Sequence, residues 1–302
     1  MASTLLQLVD RVANELGFSA PSTVISNSTQ EVVQLLGLTN AVGYELLRDH
    51  DWQTLTKEYR TNLVTYSYTG TTTADSISVT AMSSITGLSA RFMVTGNGIN
   101  QDTYVSSASG TTVVLSQAAS ASGTAVALTF SQTQYAMPSD YDRLVDQTQW
   151  DKTQHWVMLG PETGQQWQWL KSGFISTGPR MRYRILGGYF QIWPPDGSDD
   201  YIGFEYVSNQ WVLAAADTVT PSKGSFTVDT DTCMFPDTLM VLGVKSKYMQ
   251  AKGWADPYAP LFERQKSIAI ANDAGSPTLS MAPRMSEILI SQSNIPDSGY
   301  GS

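Results

Sequence analysis

The stretch that decides the fold class at one end of the chain is residues 28–50, STQEVVQLLGLTNAVGYELLRDH. Ser28 and Glu31 have the spacing of a capping box, in which each side chain bonds an unpaired backbone N–H group at a helix start. The apolar residues that follow recur at helical spacing: Val32, Leu35, Leu36, Val42 and Leu46. This stretch therefore predicts an amphipathic helix that ends near His50.

A second amphipathic helix is predicted just before it, over residues 3–18. Its apolar stripe consists of Leu5, Val9, Val12 and Leu16. Ser3 or Thr4 can cap its start and Gly17 can end it. Because Pro21 lies in the short linker between the two helices, we expect them to form a hairpin.

The chain after this hairpin mixes strands and helices. Residues 54–66 have the composition of a strand, and Pro138-Ser139-Asp140 has the composition of a helix start. Pro161-Glu162 indicates a further helix, whose inward residues would be Trp167, Leu170 and Phe174. Gly187-Gly188 joins residues 181–185 and 189–193 as a predicted hairpin, and Tyr201–Val207 alternates as a strand.

The last part of the chain is again helical. Pro236-Asp237 opens a helix that Gly253 closes, and a final helix is predicted over Pro257–Ala274. The expected fold class is therefore α+β, with a helix hairpin, C-terminal helices and a β-rich part.

Residues 67–134 differ in composition from the rest. They contain 13 Ser, 13 Thr and only three charges in 68 residues. Short β-prone runs alternate with glycine-containing breaks, which is typical of a small all-β module. We therefore expect three parts: a main domain of 1–66 and 135–274 that combines helices with β-hairpins, an inserted all-β module of 67–134, and an extended tail of 275–302.

Charge and residue counts exclude several classes of protein. The net charge is −9, from 18 basic and 27 acidic residues, and no Lys/Arg cluster is present, which argues against a general DNA binder. One cysteine (Cys233) and two distant histidines (His50, His155) predict neither a disulfide framework nor a metal site, and no cofactor is expected. The sequence contains no run of about 18 consecutive apolar residues, so we expect no membrane span. The first residues lack the pattern of a signal peptide.

Two groups of acidic residues are candidate sites of chemistry. Asp140, Asp142, Asp146 and Glu162 would suit a glycosidase if two of them faced a sugar, and helical spacing would place Asp142 with Asp146. Acids at a helix start, favoured by the helix dipole, are the simpler interpretation. Asp229 and Asp231 resemble a calcium loop but lack its glycine and its terminal glutamate. We therefore expect no catalytic and no metal-binding residues.

Six of the eight tryptophans fall within 62 residues, at Trp150, Trp156, Trp167, Trp169, Trp193 and Trp211. Trp167 and Trp169 cannot both face one core, because positions i and i+2 of a helix point in different directions. We favour a core combined with subunit contacts over a sugar-binding platform, with Trp167, Trp169, Trp150 and Trp156 as candidate interface residues.

The order of several short motifs is also informative: LLRDHDWQ at 46–53, MPSDYDRL at 137–144, QWQWLK at 166–171, RYRI at 182–185 and FQIWP at 190–194. Together they resemble the head-to-tail adaptor, or connector, family of short-tailed bacteriophages, which includes tail tubular protein A. The resemblance covers roughly residues 1–66 and 135–275.

The resemblance implies a structural virion protein rather than an enzyme, located at the head–tail junction and assembled in the host cytoplasm. It implies a ring of 12 copies between the portal protein and the tail nozzle protein, with tail fibres or spikes as further partners. DNA would pass through the lumen during genome ejection without specific binding. The apolar residues of the tail, Met281, Ile288, Leu289 and Ile290, are candidates for docking onto the portal.

Two alternatives remain open at this point. In the first, the chain is a carbohydrate-binding or depolymerising phage tail protein, whose tryptophans grip a glycan while Asp142 or Asp146 acts on it. In the second, it is a lumenal protein that contacts DNA, which the acidic balance disfavours. The sequence leaves open the ring size, the role of 67–134 and the oligomeric state of the free chain, which we expect to be monomeric.

Overall fold

The computed structural model describes residues 3–172, 180–195 and 200–273. These residues form two compact units. The helical unit consists of 3–57, 140–145 and 205–273, and the β-rich unit of 58–139, 146–172, 180–195 and 200–204. The protein thus combines helices with antiparallel sheets, which confirms the predicted α+β class. The division into a main domain and an inserted module stays a prediction, and the tail lies outside the described residues.

The helical unit contains four helices: α1 (Leu5–Leu16), α2 (Gln30–Asp49), α4 (Asp237–Lys252) and α5 (Ala259–Asp273), while α3 (Gly164–Lys171) belongs to the β-rich unit. A 3₁₀ turn, Gln53–Leu55, follows α2. The strands of this unit are β9 (Tyr141–Leu144), the second half of β14 (Tyr201–Ser208), β15 (Val212–Leu213) and β16 (Thr232–Cys233).

The ends of α1 and α4 agree with the sequence. Thr4 Oγ1 accepts the N–H of Gln7 at 3.3 Å, and the Gln7 side chain accepts the N–H of Thr4 at 3.1 Å. Gly17 and Gly253 follow the two helices in the left-handed conformation, with φ of 83° and 70°. Glycine adopts this conformation without the steric cost of a Cβ atom.

The start of α2 differs from the sequence prediction. Its N-cap residue is Thr29, which makes no side-chain capping bond, so the capping box of Ser28 and Glu31 was wrong. The Asn27 side chain instead accepts the N–H of Thr29 at 2.8 Å. This local bond of an Asn side chain to the backbone two residues later accompanies a helix start at Thr29, one residue after the predicted cap.

α4 is the central helix of this unit and packs against α1, α2 and α5. Its buried residues lie on most of its circumference rather than on one stripe, because neighbours cover several sides. Even Lys245 is buried, with its Nζ 2.7 Å from Glu15 and 3.8 Å from the Tyr258 ring centre. α2 passes Trp211 at Gly43, where the indole ring occupies the space of the missing side chain.

The β-rich unit contains the remaining strands. They are β1 (Thr56–Asn62, which begins at the end of the helical unit), β2 (Thr65–Thr72), β3 (Ser78–Val79), β4 (Phe92–Gly96), β5 (Thr103–Ser109), β6 (Thr112–Leu115), β7 (Gly123–Gln132), β8 (Gln134–Ala136), β10 (Trp150–Asp151), β11 (Trp156–Val157), β12 (Arg182–Leu186), β13 (Tyr189–Trp193) and the first half of β14. The predicted strand over 54–66 is therefore two strands, separated at Leu63 and Val64.

Six of these strands form one antiparallel sheet in the order β2-β7-β4-β5-β6-β3. A bridge between Thr71 and Thr80 joins the first strand to the last, through reciprocal backbone hydrogen bonds of 2.7 and 3.0 Å. At this bridge the sheet closes on itself into a small barrel. Phe92, Val94 and Phe130 are among the side chains that fill its interior. The Ser/Thr-rich residues 67–134 thus provide nearly all of the strands of this sheet.

A second sheet of the β-rich unit has the order β12-β13-β8. Gly187 and Gly188 form the turn of its hairpin, with φ of 60° and 79°, as the sequence predicted. α3 starts at Gly164, two residues later than Pro161-Glu162 suggested, and is capped by Thr163. Trp167 and Leu170 are buried as expected, whereas Phe174 lies outside the described residues.

The helix predicted at Pro138-Ser139-Asp140 was wrong. The chain instead forms β9, which pairs with the second half of β14 at Leu144–Tyr206 and Arg143–Val207. The side chain of Asp140 bonds residues far away in the sequence, so it does not cap a helix. Tertiary contacts therefore override the local signal.

Candidate interaction surfaces

Asp140 belongs to a buried polar network of the helical unit rather than to a catalytic pair. Its carboxylate accepts hydrogen bonds from Lys57 at 2.6 Å, Ser208 at 2.8 Å and Tyr206 at 2.9 Å. Burial alone would raise the pKa of Asp140, but the bonds from Lys57, Ser208 and Tyr206 together lower it. A general acid needs the opposite shift, so this carboxylate acts as a fixed anion that joins the start of β1 to the end of β14.

Asp142 lies on β9 and is held by Arg143, whose guanidinium donates to it at 2.9 Å. The same guanidinium donates to Asp51 and to the backbone oxygens of Leu47 and His50 at 2.8–3.0 Å. Arg143 therefore fastens β9 to the end of α2. Asp142 and Asp146 are not on a helix, so the spacing argument that paired them fails.

The segment 227–231 also has a structural role. The Asp231 carboxylate accepts hydrogen bonds from the backbone N–H groups of Thr227 and Val228 and from the Lys223 ammonium. The Asp229 carboxylate accepts hydrogen bonds from the backbone N–H groups of Val24 and Ile25. The backbone oxygens of the same two aspartates accept the N–H groups of Leu5 and Leu6 at 2.8 and 3.2 Å. The backbone oxygens of Asp229 and Asp231 thus bond the start of α1, and the Asp229 carboxylate bonds the α1–α2 linker. Within the described ranges, no group of His, Cys, Asp or Glu has the arrangement of a metal site.

The two histidines and the cysteine, His50, His155 and Cys233, were the other candidates for chemistry. His50 packs edge-on against Trp52, and its Nε2 is 3.3 Å from Asp273 on α5. His155 lies in a turn with φ of 56°. Cys233 is buried, and burial raises the pKa of its thiol to about 12, so the thiolate is not populated near neutral pH.

The tryptophan set divides between core and surface. Trp167, Trp193 and Trp211 are buried, and Trp156 is half-buried. Trp169 and Trp150 are 56% and 40% exposed. The expectation that Trp167 and Trp169 face different surroundings is therefore confirmed, and Trp169 is the candidate interface residue with the most exposed surface.

The helical unit also exposes apolar side chains, which the sequence analysis did not single out. Leu261 and Ile268 lie two turns apart on the outer side of α5, at 48% and 42% exposure, whereas Phe262 faces the core. Val33 and Tyr44 are exposed on α2, and Trp254 is 60% exposed just after α4. Leu261 and Phe262 are adjacent in the sequence and therefore point about 100° apart on a helix. This pair already indicated, from the sequence alone, that α5 has two apolar faces.

The portal-docking candidates Met281, Ile288, Leu289 and Ile290 lie outside the described residues. Among the described helices, none is both long and apolar enough to cross a membrane.

Exposed aromatic and apolar residues, on a scaffold in which Asp140, Asp142, Asp229 and Asp231 make structural contacts, are typical of an interaction protein. The family model described as SU10 adaptor protein matches residues 102–276, from the start of β5 to the end of α5. The chain belongs to the SU10 adaptor protein family and is a phage adaptor, a structural component of the virion. No curated protein matches the chain.

Proposed function

We propose that this adaptor forms a closed ring of identical subunits at the head–tail junction, between the portal protein and the tail nozzle, and that the phage DNA passes through the ring. The proposal includes the closer similarity to tail tubular protein A, and with it a copy number of 12. It also includes assembly in the host cytoplasm and possible contacts with tail fibres or spikes at the outside of the ring.

The observation that carries this proposal is the pair of apolar faces on two different helices of the helical unit. α5 exposes Leu261 and Ile268, and α2 exposes Val33 and Tyr44. Because the two faces differ, a contact between them on neighbouring copies is heterologous, and heterologous contacts related by a rotation close into rings. Exposed aromatic and apolar side chains are typical of the central part of such interfaces.

The charge of the chain supports the passage of DNA. A net charge of −9 per copy repels phosphates, and of the 17 Lys and Arg residues in the described part all but two engage protein groups. A channel that retained DNA would need free cations to replace its counterions. An adaptor of this composition lets DNA slide through without holding it.

The direct test is to mix the full chain with its portal protein and to measure the mass of the complex by native mass spectrometry. Twelve copies of the 33.0-kDa chain add about 400 kDa to the portal. We expect the isolated chain to be monomeric and the ring to form only on the portal. A complex with only one or two copies of the chain per portal ring would contradict the proposal of a ring. Stable rings of the isolated chain would contradict the expected order of assembly.

The interface is tested with Leu261→Glu/Ile268→Glu, which places charges on the outer side of α5. We expect this variant to fold normally but to bind the portal without completing a ring. Ser267→Glu is the matched control, because Ser267 is exposed on the same helix but off the line through Leu261 and Ile268. Equal ring yields for the two variants would exclude this face as the subunit contact.

The portal-docking role of Met281 and Ile288–Ile290 is tested by a chain ending at residue 274. Unchanged portal affinity of this shortened chain would refute that role without affecting the ring proposal. The carbohydrate-binding alternative predicts that oligosaccharides quench the fluorescence of exposed tryptophans. Trp169→Ala would abolish such quenching if Trp169 were the platform.

A further inference from the structure

Arg184 stands apart from almost every other cation of the protein. Eighteen Lys and Arg residues occur in the sequence, and all but Arg284 fall within the described residues. Of these 17, only Arg184 and Arg264 have no hydrogen bond, ion pair or aromatic contact with another described residue. Arg264 is exposed on α5, but Arg184 is half-buried and lines a cleft. An unpaired guanidinium in such a position is unusual, because burial weakens its hydration.

The cleft lies between the β12-β13-β8 sheet and α3, within the β-rich unit, and has a volume of about 150 Å³. Its floor is a row across three strands, since Arg184 pairs with Gln191 and Gln191 pairs with Gln134. Residues directly opposite in an antiparallel pair share one face of the sheet, so these three side chains point the same way. Gln168 and Lys171 approach the same space from α3.

The electrostatics of the cleft are positive. Lys171 is matched by Asp102, 2.8 Å away, and lies 5.0 Å from the Tyr104 ring centre, so its charge is balanced locally. The Arg184 charge has no such partner among the residues that the structure describes, and none of the described residues lining the cleft is Asp or Glu. The three glutamine amides add donors and acceptors without charge. The lining therefore presents one unmatched, fork-shaped cation surrounded by hydrogen-bonding groups.

A planar carboxylate fits this arrangement. The guanidinium can bind both carboxylate oxygens through parallel N–H bonds, and the amides can bond the remaining lone pairs. A sugar ring would require an exposed aromatic face for stacking. Of the two aromatic residues in the lining, Trp167 is only 4% exposed, and the half-buried Tyr104 has the Lys171 ammonium over its ring. The rim instead carries Leu186, 48% exposed, which suits the methylene groups of a protein side chain.

We propose that this cleft is a docking site for an acidic side chain, Glu or Asp, presented by a partner protein. Arg184 binds the carboxylate, the amides of Gln134, Gln168 and Gln191 orient it, and Leu186 packs against the backbone-proximal part of the inserted residue. The site does not depend on ring formation, because all its residues belong to one copy of the chain.

The test uses the full chain labelled with ¹⁵N at glutamine, so that the side-chain amide signals of Gln134, Gln168 and Gln191 report on the cleft. Four probes are titrated: the capped tripeptide Gly-Glu-Gly, its Gly-Gln-Gly counterpart, D-glucuronate and inorganic phosphate. We expect the Glu peptide to shift the three signals saturably and the neutral Gln peptide to leave them unchanged. Arg184→Gln should weaken the binding of the Glu peptide about tenfold or more, the range of a lost charge-assisted bond.

The matched control is Arg264→Gln, which removes the other unpaired guanidinium and should leave the titration unchanged. Arg184→Lys keeps the charge but loses the fork, and should bind at least several-fold more weakly than the parent chain. It also replaces Arg184→Gln if that variant fails to fold.

Equal shifts with the Gln peptide, or no shift with any carboxylate, would overturn the proposal. Tighter binding of glucuronate would assign the cleft to glycans, and tighter binding of phosphate to anions in general, and both results would overturn the docking of an acidic side chain.

Discussion

Substitution of Gly43 by alanine tests the packing at the centre of the helical unit. A Cβ atom at this position would lie 2.2, 2.3 and 2.6 Å from Cη2, Cζ2 and Cζ3 of Trp211, whose side chain is fully buried. The indole cannot move away easily, because it stacks on Phe235 and meets Phe226 edge-on, with ring centres 5.7 and 5.2 Å away. Overpacking of this kind costs about 1–3 kcal/mol.

Helix propensity acts in the opposite direction. Alanine in the interior of a helix is favoured over glycine by about 1 kcal/mol, because glycine loses more backbone entropy on folding. Since the clash involves three atoms of a rigid ring, we expect a cost in the upper half of the overpacking range, so that Gly43→Ala lowers the free energy of unfolding by about 1–2 kcal/mol after the gain in helix propensity. Gly37→Ala is the matched control on α2, because a Cβ atom there meets nothing within 4 Å. It should stabilise the protein by up to about 1 kcal/mol.

The measurement is urea unfolding followed by far-ultraviolet circular dichroism, which does not depend on the fluorescence of Trp211. A double-mutant cycle separates the clash from other effects: Trp211→Phe removes ring atoms near Gly43, so Gly43→Ala should cost less than about 0.5 kcal/mol in that background. Equal stabilities of Gly43→Ala and Gly37→Ala, or no coupling between positions 43 and 211, would refute this description of the core.

Three further predictions concern the polar groups. Asp140→Asn should destabilise the protein by about 1–3 kcal/mol at pH 7. The pKa of Asp140 is lowered below 3.8 on folding, so its carboxylate contributes fully to stability above pH ~4. This contribution disappears as the pH falls through the folded-state pKa. A difference in stability between the parent and Asp140→Asn that stayed constant down to pH 2 would contradict this role of the carboxylate. Asp231→Asn should lower stability because it weakens the bonds to Thr227, Val228 and Lys223, and millimolar calcium should not change the melting temperature of the parent protein, which differential scanning calorimetry can check. Cys233 should react with a thiol reagent at pH 8 only after unfolding in urea, and labelling of the native protein at the rate of a free thiol would contradict its burial.

The sequence predicted those elements whose signals are local. Thr4 and Gly17 mark the ends of α1 correctly, and Gly187-Gly188 marks its hairpin, because caps and turns depend on a few neighbouring residues. The different surroundings of Trp167 and Trp169 follow from helix geometry alone. The β-prone composition of residues 67–134 also agrees with the structure, because β3 to β7 lie within this stretch.

The failures occurred where distant residues decide. Asp140 has the composition of a helix start, but its carboxylate bonds Lys57, 83 residues earlier, and the chain around it extends into a strand. The unmatched charge of Arg184 could not be inferred either, since it depends on which strands lie side by side. The family resemblance, in contrast, depends on the order of short motifs and required no such knowledge.

The bonds that start α1 have a consequence for the order of events during synthesis. The N–H groups of Leu5 and Leu6 bond the backbone of Asp231 and Asp229, and Ser3 bonds the Asp237 carboxylate, 234 residues later. None of these contacts can form until that part of the chain has left the ribosome. All the described segments of the β-rich unit are made before residue 205, so they can fold while the first helix still waits for its partners. The earliest residues to be translated are thus among the last to reach their final place, and nearly the whole adaptor must be translated before its helical unit is complete.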